Sequence, residues 1–254
     1  MAQKVIKFLL VSCILALSAC ASTFDPADAY KDMSAKEIFD EGQKTLSNKY
    51  YTDALQYFET YDARYPFGDD IEQVQLNEIY AYYAKNETAS SLAAADRFIH
   101  LHPTSQHVDY AYYMRGLSNY MSNIGALDKF LPIDLSTRDL TGAKKSFLDF
   151  SDLVHRFPKS KYVADAKQHM IFLRNILAKH EYNVALFYYK HEAYLASANR
   201  ANDVIQHYQG APIVPTAMVL MVKSYHQLGL EELASDATKI LELNVAEIPV
   251  IEGI

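Results

Sequence analysis

Helix-ending signals recur along this chain, and between them apolar residues follow a helical spacing. Pro66 and Pro103 lie 37 residues apart. Each closes an aromatic-rich stretch: Tyr57, Phe58, Tyr61 and Tyr65 before the first, Phe98, Leu101 and His102 before the second. Phe157-Pro158 repeats the ending after a longer gap, and Tyr208-Gln209 marks a fourth without its proline. Proline stops a helix because it lacks an N–H and its ring clashes with the preceding turn. Period-two runs of β-branched residues, the mark of strands, are almost missing from Ser34 onward. A short helix–break–helix unit cannot bury its apolar face alone and has to stack on its neighbours. The expected fold is therefore all-α and built from stacked helix pairs.

The first unit matches the tetratricopeptide (TPR) pattern, a repeat of about 34 residues. Gly42, Ala54, Phe58 and Pro66 fall on its small, small, aromatic and proline positions. Small residues let two helices approach, an aromatic fills the gap to the next pair, and proline ends the second helix. The second unit keeps Tyr82, Ser91 and Pro103; the third keeps Gly116, Ser146, Phe150 and Pro158. Ala185, Tyr188 and Ser197 mark a fourth, Tyr225 and Ala234 a fifth. This predicts a TPR superhelix of about five helix-turn-helix repeats, about ten helices, with one long central helix. A generic helical bundle is the alternative.

Two irregularities set the organisation. Gly125 and Pro132 lie in an excess segment, 124–137, which reads as a loop inserted in the third unit. From 160 to 190 a single apolar stripe, Val163, Ala166, Met170, Leu173 and Leu177, runs on through Val184 and Phe187 without Gly or Pro. One long helix there would join an N-terminal block of three pairs, 34–159, to a C-terminal block of two, 160–254.

Ahead of these blocks stand Lys4 and Lys7, an apolar run from Phe8 to Leu17, and the small residues Ser18 and Ala19. This is the layout of a secretory signal, over residues 1–19. Leu17-Ser18-Ala19-Cys20 resembles the lipobox of bacterial lipoproteins, which implies cleavage before Cys20 and lipid on that cysteine. An ordinary signal peptide with a chance cysteine is the alternative. Ala21 and Ser22 are not the Asp that retains such lipoproteins in the inner membrane, so the outer membrane, seen from the periplasm, is the expected location. Residues 20–33 read as a lipidated tether.

A net charge of −7 argues against a nucleic-acid binder. Both cysteines lie within the first 20 residues, so no disulfide scaffold is expected. His180-Glu181 and His191-Glu192 each open like a zinc-protease motif, but Val184 and Leu195 stand where the second histidine belongs. There is no phosphate loop and no nucleophile elbow. His100, His102 and His107 lack a completing ligand and read as inter-repeat loop residues. No catalytic residue, metal or enzyme activity is expected.

What needs explaining is 20 Tyr beside no Trp. The repeat register puts Tyr80, Tyr83, Tyr110, Tyr113 and Tyr120 on the inner faces of the first helices, and Phe39 and Leu46 continue them in the first unit. Tyrosine pairs a large apolar face with a hydroxyl at low entropic cost, which suits capture of an extended peptide. The alternative is that some are core residues between helices. Arg97 and Arg115 lie near enough in sequence to meet a peptide carboxylate.

Several strings go further than the repeat positions. They are Asn77-Glu78-Ile79-Tyr80-Ala81-Tyr82-Tyr83, Asp96-Arg97-Phe98-Ile99, Met114-Arg115-Gly116-Leu117, Phe172-Leu173-Arg174-Asn175 and Asn199-Arg200. With the lipobox they make a chain that resembles the BamD/ComL family, lipoproteins of the outer-membrane β-barrel assembly (BAM) machine. Gln209 departs from an expected proline, and the tail after Leu243 is dissimilar. The resemblance implies docking through the C-terminal units onto the periplasmic domains of BamA, with Arg200 as a docking residue. It also implies accessory BAM lipoproteins as partners and recognition of C-terminal segments of unfolded outer-membrane proteins by the N-terminal units. No cofactor is implied beyond the covalent lipid on Cys20. A TPR lipoprotein that organises periplasmic cell-wall or division enzymes is the other reading of the same features.

Overall fold

A computed structural model describes residues 30–123 and 134–251. The signal-type segment 1–19, Cys20, most of the tether 20–33 and residues 124–133 of the expected loop lie outside the described residues. Within them the chain is all-α, a helical repeat of ten α-helices with no strand. In order these are α1 (Ala35–Ser47), α2 (Tyr51–Arg64), α3 (Ile71–Ala84), α4 (Thr88–Leu101) and α5 (Val108–Asn123). After a 3₁₀ turn (Leu135–Thr137) come α6 (Thr141–Arg156), α7 (Val163–Lys190), α8 (Tyr194–His207), α9 (Val214–Gln227) and α10 (Glu231–Asn244).

Two kinds of turn build the repeat. Inside units one, two, four and five the first helix closes on Lys49, Asn86, Glu192 or Gly229, each at positive φ between 62° and 69°. The N–H of the next residue reaches back to the helix, as in Tyr50 N to Thr45 O (3.1 Å), Glu87 to Tyr82 (2.9 Å), Ala193 to Tyr188 (3.0 Å) and Leu230 to Tyr225 (3.0 Å). This is a Schellman closure, which satisfies the last carbonyls of the helix while reversing the chain.

Between units a second turn recurs at the four endings read from the sequence. Its bonds are Gly68 N to Tyr65 O, Ser105 to His102, Ser160 to Phe157 and Ala211 to Tyr208, at 2.9–3.1 Å. The fourth copy forms without proline. There Gly210 takes φ 77°, and Arg174 of α7 donates to the carbonyls of Gln209 (3.1 Å) and Gly210 (2.9 Å). The third turn also sets where the long helix begins. It uses residues through Tyr162, so α7 starts at Val163 rather than at 160 and runs unbroken for 28 residues, about 42 Å at 1.5 Å per residue.

The chain forms two compact units, which part within α3 after Gln75. The first is centred on α1 and α2. Ser34 and Glu37 cap α1 reciprocally (Glu37 N to Ser34 Oγ 3.3 Å, Ser34 N to Glu37 Oε2 2.8 Å). Ile38, Ala54, Phe58, Tyr61, Ile71 and Val74 make its core.

The second unit holds two core clusters. One gathers Leu76, Ile79, Phe98, Met114, Phe150 and Leu153 with Ala166, Leu173 and Leu177 of α7. The other takes Ala178, Tyr182 and Ala185 from the same helix, with Val204, Ala217, Leu220 and Leu241. The two cores thus hand over along α7 at Leu177 and Ala178. Within this unit consecutive helices from α4 to α10 pack on one another.

Candidate functional site

The first helices of the second, third and fourth repeats supply one aromatic face of the larger unit. Tyr113, on α5, is at its centre. Its ring stacks on Tyr162 with centroids 4.7 Å apart and planes 13° from parallel. Its hydroxyl donates to Asp165 Oδ2 of α7 at 2.6 Å. Tyr110, one turn earlier on α5, tilts against the same Tyr162 at 5.6 Å. Two turns after Tyr113, Tyr120 meets His169 edge-on at 4.7 Å and Phe172 at 6.0 Å. His169 lies flat on Phe150 (5.1 Å, 11°) and brings Nε2 to 3.3 Å from Asp165 Oδ2.

Tyr80 and Tyr83 of α3 join the set. Burial raises the Tyr83 hydroxyl above the ordinary tyrosine value, and the fields of Tyr80 and Asp165 add to it. Tyr110 is pushed well up by burial first, then by Tyr162, Tyr80 and Tyr83. Tyr113 is pushed well up by burial and then by its bond to Asp165; Tyr120 is raised by burial and by Tyr83. Tyr83, Tyr110, Tyr113 and Tyr120 are therefore neutral donors and acceptors in the physiological range. Tyr80 is exposed (39%), whereas Tyr83, Tyr110, Tyr113 and Tyr120 are half-buried with their rings against the larger core cluster. Tyr83, Tyr110, Tyr113 and Tyr120 fill gaps between helices while keeping part of their surface exposed.

The other sequence-derived residues have contacts of their own. Phe39 belongs to the first compact unit, where it is half-buried and meets Tyr61 edge-on at 6.4 Å. Arg200, on α8, is exposed and pairs with Glu181 Oε2 at 3.2 Å. Arg97 is held by the buried Glu78 at 2.7 Å. Arg115 is held by Asp149 (2.8 Å) and Asp96 (3.1 Å), its guanidinium also over the Tyr112 ring. Both guanidinia expected near a peptide carboxylate thus engage acids of the chain itself. Among the described residues, no group of three His, Cys, Asp or Glu side chains is placed to hold a metal ion, and no helix is long and apolar enough to cross a membrane.

Sequence reasoning missed the contribution of α7. Tyr162, Asp165, His169 and Phe172 complete the face, and two of them were within reach of the repeat register. Asp165 follows Pro158 by the same interval at which Tyr110 follows Pro103, and Phe172 follows it as Tyr80 follows Pro66. His169 carried no such signal, because it packs where the other repeats present different side chains.

Comparison with known proteins fits this architecture. The family described as "YfiO: Outer membrane lipoprotein" matches residues 31–240. The chain is 38% identical over 244 residues to the outer membrane protein assembly factor BamD of Neisseria meningitidis serogroup A, covering 95% of this chain and 91% of that one. It is 33% identical to the protein of the same name from Vibrio cholerae, covering 94% and 99%. With that of Xylella fastidiosa (strain Temecula1) it is again 33% identical, covering 87% and 75%.

Proposed function

The chain belongs to the YfiO family of outer membrane lipoproteins, and from that membership we propose that it is a non-enzymatic assembly factor for outer-membrane β-barrel proteins. In this reading Cys20 carries the lipid that holds it on the outer membrane, facing the periplasm. The tyrosine face takes up C-terminal segments of unfolded barrel proteins, and the C-terminal units dock on the periplasmic domains of BamA, with accessory BAM lipoproteins alongside.

The observation that carries peptide capture is the convergence of Tyr80, Tyr83, Tyr110, Tyr113 and Tyr120 on one face of one compact unit. Rings half-sunk in a core lose little freedom on binding, and their edges and hydroxyls stay available to a chain lying across them. Docking by the C-terminal units is supported by α10. Its inner side buries Ala234, Ala237 and Leu241, while Leu233, Ile240 and Leu243 stay exposed on this last of the described helices. Apolar residues exposed together on one helix mark an interaction surface. Arg200 and Glu181, paired at the surface of α7 and α8, are the charged groups through which a partner would be registered.

Binding of a fluorescent peptide ending in an aromatic residue tests the reading. Ordering a flexible chain is costly, so the expected Kd is about micromolar. The double variant Tyr83→Ala, Tyr113→Ala, checked for retained helicity, and a peptide without the terminal aromatic should each weaken binding at least about tenfold. Full binding by the folded double variant would overturn the groove assignment. Unchanged barrel-protein levels after depletion of the protein would overturn the assembly role.

A further inference from the structure

We infer that Asp165 tunes the tyrosine face toward hydrogen-bond donors of a bound chain, namely its backbone N–H groups and a Lys or Arg side chain, and away from its terminal carboxylate. This rests on the peptide-binding reading above and adds the chemistry that the face selects.

Tyr113 has one proton to donate, and at 2.6 Å it is committed to Asp165 Oδ2. What the hydroxyl has left for a ligand is acceptor capacity. Asp165 is acceptor-only when ionised, and a carboxylate offers about four lone-pair sites. The Tyr113 bond and the approach of His169 Nε2 at 3.3 Å both fall on Oδ2, and 56% of the side chain stays exposed. The centre of the face therefore presents a negative, acceptor-rich spot ringed by Tyr113, Tyr162, Tyr120 and His169.

The nearby cations are engaged with groups of the chain itself. On the turn before α7, Lys161 sets its ammonium over the Tyr162 ring, 5.1 Å from the centroid. Arg97 and Arg115 are bound to Glu78, Asp96 and Asp149. Of the titratable groups facing Asp165, Tyr83 and Tyr113 are neutral below about pH 10. A peptide carboxylate laid against this spot would meet like charge, whereas an N–H or ammonium would meet acceptors already held in place by Tyr113.

The full-length protein in detergent, titrated with three peptides of one aromatic-ended sequence, tests this. The three are the free acid, the C-terminal amide, and the amide carrying one internal Lys. The amide is expected to bind at least as tightly as the acid, and the Lys form about two- to fivefold tighter than the plain amide, as for an exposed ion pair. Asp165→Asn keeps an acceptor for Tyr113; it should abolish the Lys preference while leaving the plain amide within about twofold. Asp165→Lys should reverse the order in favour of the acid. Acid binding about tenfold tighter than amide, or a Lys preference that survives Asp165→Asn, would overturn the inference and leave peptide binding standing. Failure of all three peptides to bind the wild-type protein would remove the peptide-binding reading, and the inference with it.

Discussion

Gly42, Ile79 and Gly116 occupy one position of the first helix in three successive repeats, spaced by 37 residues. Across from the two glycines stand Phe58 and Phe150; the repeat register sets Ala95, in the same core cluster, opposite Ile79, and all three of these partners are fully buried. Large and small have changed sides in the second repeat while the gap remains filled, which is how a close-packed interior tolerates variation. The fit is tight: a Cβ on Gly116 would lie 2.6 Å from Phe150 Cε1. Gly116→Ala should destabilise the protein by about 1–3 kcal/mol, the range for overpacking a core. Joined to Phe150→Leu, the pair should cost less than the sum of the single changes, because the shorter side chain makes room for the methyl. Urea unfolding of the three variants measures this, and strict additivity would show that the contact is not the cause.

At the scale of elements, the 3₁₀ turn after the third repeat's first helix is tied to the long helix by side chains. Asp134 caps the turn through Ser136 N (3.0 Å) and pairs with Lys179 Nζ at 2.7 Å. His180 Nδ1 donates to Ser136 O (2.7 Å), and Asn183 donates to Ser136 Oγ (3.0 Å). The Lys179 bond, followed by the Ser136 hydroxyl, holds the Asp134 carboxyl below its ordinary value. A depressed folded value gives stabilisation that is present above the unfolded carboxylate value, about pH 4, and is lost as pH falls through the lower folded one. Asp134→Asn should therefore be less stable than wild type near neutrality, and the gap should close by about pH 3. Because the pair is largely exposed, the gap is about 0.5 kcal/mol. Unfolding curves across that range decide it, and a gap independent of pH would assign the effect to packing instead.

For the whole molecule, the tyrosines set an alkaline limit. Burial, the leading cause in each case, raises Tyr83, Tyr110, Tyr113, Tyr120 and Tyr182 above their unfolded values. The fold then binds these protons more tightly than the unfolded chain does. The stabilisation is complete below about pH 10 and falls away as pH rises through the folded values. Alkaline titration should show tyrosinate absorbance of this group and loss of helical circular dichroism rising together. Tyr110→Phe, which removes one of these hydroxyls from titration, should move the transition to higher pH. Tyrosinate formation complete before any helix is lost would contradict this account.

The helix pairs were legible because each signal acts locally. A proline ends a helix wherever it stands, a small residue permits close approach, and an apolar stripe without Gly or Pro continues as one helix, as α7 does. Family membership was legible in short strings such as Asn77 to Tyr83 for the same reason, since they lie contiguous in the chain. Which tyrosines share one face was legible only within the register that the prolines fixed. Tertiary structure alone decided the rest. The fourth inter-repeat turn closes without proline, and Arg174, 35 residues away, donates to its carbonyl at Gln209. Tyr113 donates its hydroxyl hydrogen bond to Asp165, 52 residues on, so the chemical sense of its hydroxyl is set by a partner that no local pattern names. Arg97 and Arg115 were expected near a peptide carboxylate, yet packing placed acids against both. Local rules select helices, whereas the pairing of polar groups depends on which side chains the stacking brings within about 3 Å of one another.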